Sequence, residues 1–488
     1  MINNFLSSII IDKSIEYPSG EDYFSPDEKY PEYNLGHFSR KQNKIYKAVR
    51  DCLINADLDS GNIGKSTWNP LRSIISKGSN VFILCNFVYH RKNSESEKEF
   101  FAKCTHGSII RAVIDYILIA LGDNGSVSFG NSSLQSCIWD KVLHDTGANR
   151  IIEFYSKYGS KNCEVGAVDL RLYKAVRDDF GRVLSISDSD KNSLNINIDL
   201  GKDSLLEELY GENKKPEFRV SDYNPLRTME YHDIGKHIYM LNKKILEANV
   251  IVSIPKLKTH EKVGITCGLK GCVGAIAFKK CLVHHRFGSL KSGGDEYSQN
   301  VFFLKWFSML HDYINKKGID RIINILRIFD RIFWKFSRII GFNVFGSWYG
   351  NDSAWRMTLD IARILKYATV SGELKDEPQR KHVLFTDGII SGEGNGPLSP
   401  KPIESGIINF CDDVVTGDYV NSLIMGFNPD KIKMIKQAFC LNRFSLTENK
   451  PDAIQIKIND RKILLSEINS QLEFKFNPPR GWKNHIEL

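Results

Sequence analysis

Three basic side chains follow directly after one short apolar segment near the middle of the chain. Residues 250–254 form a β-branched run that ends at Pro255, which is the pattern of a buried strand. Lys256, Lys258 and His260 come immediately after it. In an open α/β sheet the carboxyl end of a strand is the usual place for a ligand, and these residue types suit an anionic group. We therefore expect an anion site here, while a solvated basic loop is the alternative interpretation.

Further polar residues lie on predicted loops and helix starts downstream, and their types indicate two roles. Side chains that can bind phosphate or carboxylate form the first group. Its members are Lys256, Lys258, Lys270, Arg286, Asn351, Asp352 and Arg356. An acid or base must exchange a proton near neutral pH, which histidine does, and which a carboxylate does if burial raises its pKa. The candidates for this second role are His260, Asp387 and Glu393.

A divalent metal is a third use of the same region, because histidine and carboxylate are common metal ligands. The candidate ligands are His284, His285, Asp295 and Glu296, with His260 able to join them or to act in acid–base chemistry. Adjacent histidines usually point in different directions, which argues against one ion bound by both. The ten cysteines include no CxxC pair, so the sequence has no zinc-ribbon or iron–sulfur motif. The cofactor is otherwise unassigned.

The strings that carry these residues resemble the DUF362 family. They are PKLKTH, GITCGLKG and HHRFGSLKSGGDEY in the central stretch, and DGIISGEGNGPL downstream. Together with further motifs they extend the resemblance over roughly residues 60–485. The family has no assigned reaction. The resemblance implies an enzyme in cell-surface polysaccharide metabolism, which would act on a phosphorylated or carboxylated small molecule.

One family feature is missing at the first core strand. In the family this strand usually ends in Lys-Pro-Asn, whereas Leu84, Cys85 and Asn86 stand there in this chain. Only the asparagine is kept. If the family lysine has a chemical role, this protein lacks it, so the sequence leaves open whether the same activity is present.

Composition limits the partners and the location. The chain has 488 residues, a net charge of +8 and 42% hydrophobic residues, which is ordinary for a soluble globular protein. A mild positive charge suits an anionic ligand or a membrane surface, and no nucleic-acid recognition motif accompanies it, so we expect no nucleic acid. No signal peptide and no apolar run long enough to cross a membrane are visible, so we expect a cytoplasmic protein that could contact a membrane peripherally.

Alternating strand and helix patterns predict an α/β fold with a mostly parallel sheet covered by helices. Polar alternation over residues 180–221 predicts a β-rich excursion with an antiparallel hairpin, formed by residues 182–186 and 194–198. We divide the chain into an N-terminal extension over residues 1–60, a core over 61–298 and 346–488, and a helical insertion over 299–345.

The insertion is strongly apolar and aromatic, yet it carries several cations. Lys305, Arg331 and Lys335 stand among phenylalanines and tryptophans in two helical patterns. An apolar face edged with cations is typical of a helix that lies in a membrane interface. A helical hairpin packed on the core or on a second subunit is the alternative, and the oligomeric state stays open.

Overall fold

The computed structural model describes residues 6–122, 124–177, 183–188, 195–211, 215–221, 223–317, 321–468 and 474–488. The strands of these residues are β1 Leu6–Ile11, β2 Asn80–Cys85, β3 Gly125–Asn131, β4 Cys163–Asp169, β5 Tyr173–Arg177, β6 Val183–Asp188, β7 Asn195–Asp199, β8 Phe218–Arg219, β9 His232–Asp233, β10 Lys236–Asn242, β11 Val250–Ile254, β12 Lys256–His260, β13 Gly264–Ile265, β14 His285–Arg286, β15 Lys381–Glu393, β16 Lys401–Cys411, β17 Gln455–Ile458 and β18 Arg461–Ile463. The α-helices are α1 Lys44–Asn55, α2 Glu97–Phe101, α3 Gly107–Leu121, α4 Trp139–Asp145, α5 Ala148–Tyr158, α6 Pro225–Met229, α7 Lys243–Leu246, α8 Cys267–Gly271, α9 Phe302–Lys317, α10 Arg321–Ile339, α11 Ala354–Tyr367, α12 Val414–Ile424 and α13 Lys433–Ala438.

One large mixed sheet organises the protein, in the strand order β18-β17-β1-β16-β15-β11-β2-β3-β4. The segment from β15 through β11, β2 and β3 to β4 is parallel throughout. Parallel strands need crossover connections, and here helices such as α3 between β2 and β3 supply them. The predicted α/β fold with a mostly parallel sheet is confirmed.

The central strands are buried on both faces, as expected where helices cover a parallel sheet. In β2 the side chains of Val81 and Ile83 enter one hydrophobic core, and those of Phe82 and Leu84 enter the core on the other side. β11 alternates in the same way, and all five of its residues are buried. The β-branched run that predicted this strand therefore lies at the middle of the molecule.

The predicted N-terminal extension contributes to the sheet. β1 lies between β16, to which it is antiparallel, and β17, to which it is parallel. The hydroxyl of Ser7 donates to Asn409 Oδ1 at 2.7 Å inside this layer. Residues near the start of the chain are thereby brought to the centre of the fold.

The β-rich excursion is present, but its predicted hairpin is wrong. β6 pairs with β5, whereas β7 pairs with β10. The second pairing is the one that buries apolar surface, because Ile198 of β7 lies opposite Tyr239 of β10 and both are fully buried. Residues 182 and 194 of the predicted hairpin lie outside the described residues.

The helical insertion forms the antiparallel pair α9 and α10. Their aromatic rings meet where Phe333 contacts Phe307, with ring centroids 3.9 Å apart. In the described parts of the chain, no helix combines the length and the apolar character that a membrane span requires.

Candidate functional site

The predicted loop after β11 is a further strand. β12 runs parallel to β15, with Lys256 opposite Asp387 and Lys258 opposite Gly392, and it also pairs with β13. The loop prediction is wrong because β15 continues past the end of β11 and offers a second pairing edge. Alternate residues of a strand point to the same side. Lys256, Lys258 and His260 therefore share one side of β12.

Neighbouring side chains compensate the positive charge of Lys256. Its Nζ lies 2.8 Å from Oδ1 of Asp387, and both side chains are completely buried. The Tyr17 hydroxyl accepts a hydrogen bond from Lys256 and donates to the same Asp387 oxygen at 2.6 Å. The other carboxylate oxygen accepts from the backbone N–H of His106 at 3.0 Å. The ion pair joins β12 to β15, and its hydrogen bonds with Tyr17 attach the segment that follows β1.

Lys258, two residues further along, has only neutral acceptors. Its Nζ donates to Oδ1 of Asn86 and to the carbonyl oxygen of Lys103, each at 2.8 Å. Burial, together with the positive charges of Lys256, Lys103 and Lys270, lowers the pKa of Lys258 to about 7. A buried ammonium without a counterion is costly, which is why the neutral form becomes accessible.

Lys270 reaches the same region from the short helix α8. The start of this helix is held by the carboxylate of Asp418, which accepts from the N–H groups of Gly268 and Leu269 at 2.7 and 2.8 Å. Lys270 is half-buried, and no other described residue supplies a hydrogen-bond or ion-pair partner for its ammonium. Burial, followed by the charge of Lys262, lowers the pKa of Lys270 to about 8.

Lys279 adds a third ammonium from the segment that follows α8. It donates to the carbonyl oxygen of Ser132 at 2.7 Å, just beyond the end of β3. Burial lowers its pKa to about 7, and the charges of Lys270 and Arg171 act in the same direction. The hydroxyl oxygen of Ser132 is buried without a partner among the described residues. The end of β3 also meets the segment after β2, where the side-chain amide of Asn131 donates to the carbonyl oxygen of Phe87 at 3.3 Å.

Two histidines complete the arrangement. His260 accepts from the N–H of Lys262 through Nδ1 at 3.1 Å, so its neutral ring carries the proton on Nε2. His284 is half-buried, and its Nδ1 has no partner among the described residues. Burial lowers the pKa of both rings well below the ordinary value, with the charge of Lys270 acting on each.

These five side chains are called the basic cluster below, and they are Lys258, His260, Lys270, Lys279 and His284. In the parts of the chain that the structure describes, no carboxylate forms an ion pair with any of its three lysines. Lys270 and His284 are its half-buried members, so they form the side that a ligand can reach. Its net positive field and unpaired donors are suited to an anion that carries more than one negative charge.

The acidic residues downstream of His284 shape the surrounding segment. Asp295 accepts from the Arg286 N–H at 2.5 Å and from the Ser353 hydroxyl at 2.7 Å. Glu296 accepts from the Ser308 hydroxyl at 2.7 Å, and burial raises its pKa to about 7. Both carboxylates are thus engaged in holding the segment that carries His284.

The predicted anion-binding residues at the start of α11 lie in a structural network. Asn351 donates to the carbonyl oxygen of His284 at 2.9 Å, and its Oδ1 accepts from the N–H of Ala354, the first residue of α11, at 2.9 Å. Asp352 and Arg356 form an ion pair of 3.3 Å with each other. Asn351 therefore holds the backbone of His284 in place, whereas Asp352 and Arg356 do not join the basic cluster.

Two of the three predicted catalytic residues are held in other contacts. Asp387 forms the buried ion pair with Lys256. Glu393 accepts from the backbone N–H and the side-chain amide of Asn477, at 2.8 and 2.7 Å, and so attaches a C-terminal segment to β15. Of the predicted acid–base candidates, the structure brings only His260 into the basic cluster.

The predicted metal ligands are not assembled around one point. Within the described part of the chain, no group of three or more histidine, cysteine, aspartate or glutamate side chains is arranged to hold a metal ion. His285 contacts the ring of Phe345, with centroids 6.1 Å apart, while Asp295 and Glu296 accept the hydrogen bonds given above.

Sequence reasoning missed several members of this region. Lys279 lies in the same glycine-rich segment as Lys270, but its spacing gives no signal of its own. Tyr17 belongs to the N-terminal part of the chain, 370 positions away from Asp387. Asn86 is the residue that this chain keeps from the family's Lys-Pro-Asn, and its position directly after β2 is the one sequence signal for the contact with Lys258.

Comparison with known proteins gives one match. Residues 205–422 match the family model DUF362, which is described as a domain of unknown function. The matched region includes β11, β12, α8 and the histidine pair, and it confirms the family resemblance. No curated protein and no solved structure matches the chain.

Proposed function

We propose that this chain, whose residues 205–422 match the DUF362 family model, is an enzyme that binds an anionic small molecule in the basic cluster. The observation that carries this proposal is the absence of a counterion at Lys258, Lys270 and Lys279 among the described residues. Burying a cation without an opposite charge is unfavourable, so the free protein retains an arrangement that an anion would stabilise.

The number of cations favours a ligand with at least two negative charges. A phosphate, a diphosphate or a dicarboxylate would pair with more than one lysine at once, and such charge-assisted hydrogen bonds are the stronger kind. A phosphorylated sugar fits this requirement and also the expectation of a role in polysaccharide metabolism. It is therefore the first class of ligand to test.

The cluster also supplies groups that could transfer protons. The pKa of Lys258 lies near 7, where a general acid or base works best. His260 presents Nε2–H, and an anion bound beside it would favour the charged imidazolium form. Lys258 and His260 are accordingly the residues that we propose for proton transfer, with Lys270 and Lys279 holding the anion.

Titration calorimetry with inorganic diphosphate and with glucose 1-phosphate tests the proposal. We expect binding to the wild-type chain and at least a tenfold weaker binding to Lys270→Met. Lys462→Met, at an exposed position away from the cluster, is the matched control and should bind like the wild type. Equal binding to all three proteins, or no binding of any phosphorylated or carboxylated compound, would overturn it.

We also propose a divalent metal site, with one protein ligand instead of the four that the sequence predicts. His284 has an unpartnered ring nitrogen among the described residues, so an ion could be held by His284 together with oxygen atoms of the bound anion. Mass-spectrometric metal analysis of protein purified without chelator, with and without diphosphate, tests this form. Metal far below one equivalent per chain in both samples would contradict it.

A further inference from the structure

The helical pair α9 and α10 exposes two continuous apolar stripes. On α9 the stripe consists of Phe302, Trp306, Met309 and Tyr313, whose exposed fractions range from 49% to 85%. On α10 it consists of Ile325, Phe329, Ile332, Phe336 and Ile339, whose exposed fractions range from 52% to 81%. Both sets recur every three or four residues, which places each on one side of its helix. Several large apolar side chains exposed side by side on a folded protein mark an interaction surface.

The opposite side of each helix is already used for packing. On α9 the buried residues include Leu304, Phe307 and Asp312. Asp312 forms a buried ion pair with Arg219 at 2.9 Å, which attaches α9 to the short strand β8. The stripe is therefore the side that remains after the helix has docked on the core.

The charges that flank the stripes have one sign. Lys305, Lys316, Lys317 and Lys335 are all exposed on the two helices. Within their described residues, the acids are Asp312, paired with Arg219, and Asp330, which accepts from His311 Nδ1 at 3.0 Å. The solvent-facing side thus combines aromatic and aliphatic groups with uncompensated lysines.

We propose that α9 and α10 dock the protein on the surface of a bilayer that contains anionic lipids. Aromatic residues at the interface and lysines directed to phosphate headgroups are the combination that binds a membrane surface without crossing it. A second copy of this chain is a poorer occupant, because two such faces would bring like charges together.

The docking surface is connected to the segment that shapes the basic cluster. Ser308 of α9 donates to Glu296 at 2.7 Å, and Lys262 donates to the carbonyl oxygen of Phe345, just after the helical pair. The helical pair would therefore lie between a bound bilayer and the segment that holds His284. Docking itself does not depend on the proposed catalytic role.

Co-sedimentation of the full chain with phosphatidylcholine vesicles, with and without phosphatidylglycerol, tests the proposal. We expect binding to the anionic vesicles and weak binding to the neutral ones. Trp306→Ser/Phe329→Ser should lower the partition coefficient by about 100-fold, because two large apolar groups no longer enter the interface. Lys305→Gln/Lys335→Gln should lower it by about 25-fold on anionic vesicles, at about fivefold per lysine.

The matched control is Ile234→Ser/Leu464→Ser, which replaces apolar residues that are 67% and 66% exposed outside the helical pair. It should bind vesicles like the wild type. The proposal is overturned if the wild type does not sediment with anionic vesicles, or if the stripe variant sediments equally well. It is also overturned if light scattering shows a dimer that depends on the stripes while vesicles are not bound. Diphosphate binding by the stripe variant should be unchanged, which separates this test from that of the basic cluster.

Discussion

Lys256 and Lys258 stand two residues apart on the same side of β12, yet their surroundings are opposite. Lys256 meets a buried carboxylate at 2.8 Å, whereas Lys258 meets one amide oxygen and one backbone carbonyl oxygen. The first lysine is part of an internally balanced pair. The second belongs to a cluster whose charge is not balanced by any described residue.

The buried charge of Lys256 therefore has a structural role, whereas that of Lys258 requires a ligand. A buried ion pair connects elements that are distant in sequence. If one partner is lost, the remaining charge is buried without a counterion, which is strongly destabilising. An unbalanced cluster stores that cost in the free protein. Loss of protons from the lysines relieves part of this cost, and a bound anion removes it while the lysines stay charged, so stability and binding should respond in opposite ways to mutation of the two regions.

The largest effect is expected at the balanced pair. Asp387→Asn should lower the free energy of unfolding by about 3–5 kcal/mol, because Lys256 then remains buried without its counterion. Urea denaturation followed by circular dichroism measures this change. The double variant Lys256→Met/Asp387→Asn is the control and should recover at least half of the loss. A single variant within about 1 kcal/mol of the wild type would remove the structural interpretation of this pair.

A smaller effect, on binding rather than folding, is expected at Lys258. Lys258→Met should weaken diphosphate binding by about 30-fold to 100-fold, equivalent to about 2–3 kcal/mol, because it removes a positive charge from the low-dielectric surroundings of the bound anion. Calorimetry measures the affinity, and far-ultraviolet circular dichroism shows whether the fold is kept. Undiminished affinity in a folded variant would place the ligand elsewhere.

The smallest effect is expected on the stability of the ligand-free protein. Lys270→Met should raise the free energy of unfolding by about 1 kcal/mol at pH 7, because it removes a half-buried cation with no described partner. The same variant should bind anions more weakly. Thermal denaturation of this variant beside Lys462→Met provides the comparison, and a destabilised Lys270→Met would show that the lysine serves the fold.

The fold was largely predictable because its signals are local. The β-branched run before Pro255, the helix after residue 106 and the strand near residue 385 each carry their own pattern, and all are present in the structure. The mistakes concern pairing. The residues after Pro255 form β12, and residues 183–188 and 195–199 choose separate partners, because strand pairing depends on which neighbour buries apolar surface.

The site was predictable in part. Residue type and position predict Lys258, His260, Lys270 and His284, and the structure brings these four side chains into the basic cluster. Asp387 and Glu393 have the same residue types as catalytic acids, but their roles depend on Tyr17, Lys256 and Asn477, which are remote in sequence. No local pattern distinguishes a carboxylate that pairs inside the fold from one that faces a ligand.

The most direct measurement is the number of protons taken up when sulfate binds. Sulfate does not titrate near neutral pH, so any proton must come to the protein. In the free protein the pKa values of Lys258 and Lys279 lie near 7 and that of Lys270 near 8, and a bound anion raises all three. Binding should therefore take up protons above pH 7, and affinity should fall as the pH rises from about 7 towards 9.

Calorimetry at pH 7.5 in Tris and in HEPES separates the protonation heat from the binding heat. We predict an uptake of about one proton per sulfate in the wild-type chain, and a smaller uptake in Lys258→Met. Sulfate binding without proton uptake, with an affinity that does not change between pH 7 and pH 9, would contradict the claim that the basic cluster is an unbalanced anion site.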